Sequence, residues 1–142
     1  MRLLSARLDR PSLTYWIALG LTGLIVAYMG IWTIGVLAVL LTDSTSQMFG
    51  VSLRDVIRYT QAIDLVLFFA ATSAFALTFA LLCTRRAISA VSLGAAIMLH
   101  FALWIRLTTN PVYDAPIALL VIAIEVVDLL LILRLSQRQA RR

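Results

Sequence analysis

Four apolar runs, at residues 13–41, 63–83, 87–107 and 116–133, alternate along the chain with short segments in which the polar residues gather. Each run reaches the roughly 18 to 20 residues that a helix needs to cross a hydrocarbon core about 30 Å thick. Within the runs apolar residues follow one another without alternation, which argues against barrel strands, and in lipid a spanning segment has to satisfy its own backbone groups. The pattern predicts an all-α membrane protein, four transmembrane helices in an antiparallel bundle, with residues 1–142 as a single integral membrane domain. The first run follows Pro11 and Ser12, a helix start signal, and is long enough to require tilt.

The connection after the first run has a pattern of its own. Ser52 to Asp55 reads S-L-R-D, a capping-box spacing, and opens a stretch with Leu53, Val56, Ile57 and Ile63 on one side and Arg54, Asp55, Arg58 and Gln61 on the other. A short amphipathic helical segment is expected there, either lying on the membrane surface or running straight into the second span as one helix over residues 53–83. In the last connection Asp114 is placed to cap the fourth helix and Pro116 falls in its first turn.

Charge supplies the topology. Nine of the twelve arginines, Arg2, Arg7, Arg10, Arg85, Arg86, Arg134, Arg138, Arg141 and Arg142, lie in the three segments that share one side of a four-span bundle. Only Arg54, Arg58 and Arg106 fall on the other. Basic residues in short loops stay on the cytoplasmic face, so both termini are expected to be cytoplasmic, with the loops at residues 42–62 and 108–115 outside. This bias accounts for the net charge of +5 without a nucleic-acid partner. The N-terminal apolar run is about twice as long as the roughly 7 to 15 residues of a signal peptide, so it reads as an uncleaved span. All basic residues are arginine and none is lysine, a bias that suggests a bacterial source and hence the cytoplasmic (inner) membrane as the address.

At 62% apolar and 13% charged residues the composition is that of a chain whose main partner is the lipid bilayer. A single cysteine, Cys83, excludes an internal disulfide or a CxxC redox pair. HExxH, Walker and GxSxG signatures are missing, one histidine is poor material for a metal or haem site, and no cofactor is expected. Small multidrug transporters carry an essential glutamate in their first span, whereas the first span here has no ionisable residue. In that span Gly20, Gly23, Ala27 and Gly30 recur at spacings of three and four, a face on which another helix can approach closely, inside the bundle or in a homo-oligomer.

The residues that could carry chemistry are the ionisable ones inside the hydrocarbon: His100 in the third span, Glu125 and Asp128 in the fourth. Glu125 and Asp128 are three apart and share a helix face. At about 1.5 Å of rise per residue, His100 lies roughly 10 Å and Glu125 roughly 15 Å below the outer ends of their spans, so the two meet if these spans are neighbours. Such a pair could hold a polar ligand or relay a proton, with Asp128 one turn deeper, or it could simply fix two helices together. Asp64, Arg106 and Asp114 fall at outer span ends, where ion pairing among them is expected. Two main functions fit: a non-enzymatic accessory or interaction subunit of a membrane assembly, and a small proton-coupled transporter or channel using His100, Glu125 and Asp128. A membrane-embedded enzyme acting on lipid or quinone is a weaker third, since no nucleophile or redox group is evident.

Overall fold

A computed structural model describes residues 12–42, 47–48, 50–110 and 116–140. It is built almost wholly of helix: α1 (Leu13–Thr42), a two-stranded hairpin of β1 (Gln47–Met48) and β2 (Val51–Ser52), α2 (Leu53–Arg58), α3 (Ala62–Cys83), α4 (Ser89–Leu107) and α5 (Pro116–Ala140). Among the described residues three helices, α1, α3 and α4, are long and apolar enough to cross a membrane. With 30 residues α1 measures about 45 Å, half as long again as a hydrocarbon core.

Local chemistry sets the ends of these elements. Gly50 takes a φ of 79° in the hairpin turn, a conformation open to a residue without Cβ. Ser52 caps α2, its hydroxyl accepting the Asp55 N–H at 3.4 Å, and Leu53 and Val56 turn inward while Arg54, Asp55 and Arg58 are exposed. Of the two arrangements the sequence allows, one helix over residues 53–83 is not formed. Instead α2 stops at Arg58, the Thr60 hydroxyl donates back to the Val56 carbonyl at 2.7 Å, and α3 starts afresh when Asp64 Oδ2 accepts the Gln61 N–H at 2.9 Å. At the other end of α3, Arg86 N–H reaches the Leu81 carbonyl and Arg85 N–H the Leu82 carbonyl, each at 2.8 Å. These two bonds make a Schellman turn in which Arg85, at a φ of 56°, stands where glycine is usual.

The four long helices bury one stripe each, stepping by three, four or, between Asp64 and Ala71, seven residues. In α1 the stripe includes Tyr15, Ala18, Thr22, Ile25 and Met29; in α3, Asp64, Ala71, Phe75, Thr78 and Leu82. In α4 it is Ser89, Leu93, Ala96, His100 and Leu103, and in α5 Val121, Glu125, Asp128 and Ile132. This is the spacing of helices packed side by side at a shallow angle. α3 packs most extensively on α4, α1 touches both α3 and α5, α4 also meets α5, and α2 rests on α1. Large apolar side chains such as Leu24, Ile34, Val66, Met98 and Leu120 point outward, as a chain bathed in lipid permits.

Candidate functional site

The inward stripes carry the buried polar residues of the helices, and the site follows from where those stripes meet. His100, in the second half of α4, faces Glu125 of α5, with 2.6 Å between Nδ1 and Oε1. Glu125 is wholly buried and His100 is 7% exposed. The Phe75 ring of α3 stands edge-on to the imidazole at 6.0 Å between centroids and keeps that side apolar. A single proton fits between Nδ1 and Oε1, so Nε2 is the ring nitrogen left to gain or lose a second one. Glu125 Oε2 is buried and has no hydrogen-bond partner.

One turn further along α5, Asp128 is also wholly buried. Its Oδ2 lies 2.5 Å from the Thr22 hydroxyl of α1, which is in turn 2.9 Å from the Ala18 carbonyl. The hydroxyl has one proton and two acceptors within reach, so both contacts are hydrogen bonds only when Asp128 contributes a proton of its own. Asp128 Oδ1 has no partner. The side chain that meets Asp128 is therefore Thr22 of α1.

His100 also lines a cavity of about 80 Å³ between α1, α3 and α4. Its walls are aromatic, with Tyr28, Trp32, Phe68 and Trp104, and Leu53, Val56 and Ile57 of α2 cover it. The Trp104 indole N–H is buried without a hydrogen-bond partner. Asp64 contributes to this cavity and also to a more polar cleft of about 330 Å³ lined by Tyr59, Gln61, Arg106, Thr109 and Asn110. Asp64 is held by Arg106, whose Nε donates to Asp64 Oδ1 and whose Nη2 donates to Gln61 Oε1 at 2.8 Å. Asn110 Nδ2 donates to the Val56 carbonyl at 3.1 Å and ties the end of α4 to α2.

The structure thus brings together His100 with Glu125 and Asp64 with Arg106, while Asp128 joins Thr22 instead of extending the first pair directly. Asp114 lies outside the described residues. Of the small residues in α1, Gly23 lies against Phe79, where an added Cβ would come within 3.3 Å of the ring. Gly20 and Gly30 have nothing that an added Cβ would meet, and Ala27 is exposed. Among the described residues no three His, Cys, Asp or Glu side chains are grouped as a metal would need.

Sequence reasoning missed two features. Thr22 is one polar residue in a long apolar run, yet it belongs to the three-and-four series from Tyr15 to Met29 and marks the inward face. Tyr15 and Trp104 give no such signal in the sequence, yet the Tyr15 hydroxyl donates to the Leu82 carbonyl at 2.9 Å and Trp104 walls the cavity. Compared with known families, curated proteins and solved structures, the chain matches none of them.

Proposed function

We propose that the chain is a four-span antiparallel bundle of the cytoplasmic membrane, with both termini on the cytoplasmic side, and that it works there as a small proton-coupled carrier. Support for the arrangement comes from pairs of contacts. Asp64 at the start of α3 meets Arg106 at the end of α4, Thr78 late in α3 meets Ser92 early in α4, and α5 is 25 residues long. The arginine bias then assigns the Asp64–Arg106 end to the outer side.

The observation that carries the function is the placement of His100. One ring nitrogen is bound to a wholly buried carboxylate and the ring itself lines a cavity roofed by a short separate helix. Removing a carboxylate from water is costly, and a second proton on the pair offsets that cost by making it neutral overall. Loading and unloading of that proton is then coupled to whatever occupies the cavity.

The test is proton-linked flux into vesicles reconstituted with equal amounts of wild-type and Glu125→Gln protein, with a pH indicator trapped inside. The amide keeps the size and one hydrogen bond of the carboxylate, so assembly is expected to persist while flux falls by at least about tenfold, equivalent to about 1.4 kcal/mol on the rate-limiting barrier. Equal flux in the two proteins would sink the carrier reading.

A second reading, the accessory subunit, is favoured by the outward position of Gly20 and Ala27 on α1, where a partner helix could approach closely. Mass analysis of the protein extracted in mild detergent distinguishes it: a partner chain at fixed stoichiometry supports this reading, and a solitary chain counts against it.

A further inference from the structure

We propose that the aromatic cavity and the polar cleft beside it form one site for a small amphipathic monocarboxylic acid, captured as the anion at Arg106 and held in the cavity as the neutral acid. The proposal rests on the proton-coupled reading and names its substrate class. The two spaces are neighbours, with Asp64 and Leu107 lining both. They also differ in kind: the cleft holds the guanidinium, and the cavity is walled by aromatic rings and roofed by aliphatic side chains.

Arg106 is fitted to capture a carboxylate. Its side chain is 39% exposed and spends Nε on Asp64 and Nη2 on Gln61, so part of its planar fork of donors remains for a ligand. A carboxylate that went on into the cavity as an anion would lose its hydration among aromatic rings, whereas the neutral acid would not. There the ring of His100, which lines the cavity beside Trp104, is placed to deliver the proton.

The step balances as RCOO⁻ plus one proton giving bound RCOOH. An O–H bond forms on the ligand, an N–H bond at His100 Nε2 breaks, and the ring regains a proton from water on the cleft side; nothing is oxidised or reduced. The charged and titratable groups around His100 are Glu125 from α5, Asp64 from α3 and Tyr28 from α1, with Arg106 beyond Asp64 in the cleft, while α2 lends the cavity no charged side chain. At about 80 Å³ the cavity is smaller than the roughly 150 Å³ known to admit benzene, so short aliphatic acids are the fit.

The probe is butyrate, with butyramide as its uncharged counterpart, titrated against the full chain in lipid nanodiscs by tryptophan fluorescence and by an indicator dye in weak buffer. Saturable butyrate binding with about one proton taken up per molecule is expected, and butyramide is expected to bind without proton uptake. Arg106→Gln, which removes the capture point and leaves the cavity, should slow butyrate association at least about tenfold, read as the rate of the fluorescence change after mixing and the size expected for a lost charge-assisted bond. Trp104→Phe, which replaces the indole by a smaller ring and thins the cavity wall, should weaken both ligands by a factor of roughly 5; it decides the matter if Arg106→Gln fails to fold. Non-saturable partitioning of both compounds, butyrate binding without proton uptake, or an unchanged association rate in Arg106→Gln together with unchanged affinities in Trp104→Phe would each overturn the proposal. Absent butyrate binding alongside Glu125-dependent proton flux would remove the substrate class alone, while absent flux removes the carrier reading beneath it.

Discussion

α4 offers one side chain to a carboxylate in its second half and another at its end, His100 to Glu125 and Arg106 to Asp64, and the two pairs sit in different surroundings. The inner pair is almost free of solvent, its side chains 9% and 0% exposed. The outer pair is half open, with the arginine at 39%. Arginine keeps its charge everywhere, so at the outer end the pair is fixed in charge and anchored by the start of α3 and by Gln61. Histidine and glutamate can each exist charged or neutral, so the inner pair can change its proton count without changing its partners. The same helix therefore carries a constant charge where water reaches and a variable one where it does not. Only the second is suited to moving protons.

The largest effect that would break this comparison is expected from His100→Leu. Glu125 Oε2 already has no partner, so the substitution would leave the whole carboxyl group unbonded in the core, at a cost of about 3 kcal/mol in unfolding experiments in mixed micelles. Adding Glu125→Leu to it should recover most of that loss, because two apolar side chains replace the pair together. A single variant as stable as wild type would mean that the pair does not hold α4 to α5. Next below His100→Leu comes Thr22→Val, which removes the hydroxyl beside Asp128 and, since Asp128 Oδ1 already has no partner, leaves a second buried carboxyl group unbonded, at a cost of about 2 kcal/mol in the same unfolding assay. Asp64→Asn should cost about 1 kcal/mol or less, since its partner is 39% exposed and keeps contact with water, and the loss should shrink as salt is raised. A loss as large as that of His100→Leu would erase the distinction between the two pairs.

The spans were legible because the bilayer imposes their length: α1, α3 and α4 start and stop within two residues of the apolar runs that announce them. Which face turns inward was much less legible. A soluble helix shows its core as an apolar stripe, but in lipid both faces are apolar, so Ile25 and Leu24 look alike in sequence although one is buried and the other exposed. The polar residues carry that information instead. Thr22, Thr78, Ser89, His100, Glu125 and Asp128 all lie on inward stripes, each placed where a polar group avoids lipid. His100 and Glu125 could be matched in advance by counting residues from the ends of their spans. The cavity could not, since it depends on α2 breaking away from α3 at residues 59–61 and on Trp104 turning into the bundle.

Because His100 is the sole histidine, nitrogen-15 labelling of histidine gives a spectrum of this one ring. In bilayers, stepping the pH of the aqueous phase is expected to move Nε2 between its protonated and bare states while Nδ1 stays engaged with Glu125, and Glu125→Gln is expected to change that response. An Nε2 signal that stays the same at every pH that leaves the helices folded, or that responds identically in Glu125→Gln, would contradict a proton-handling pair at the centre of this protein.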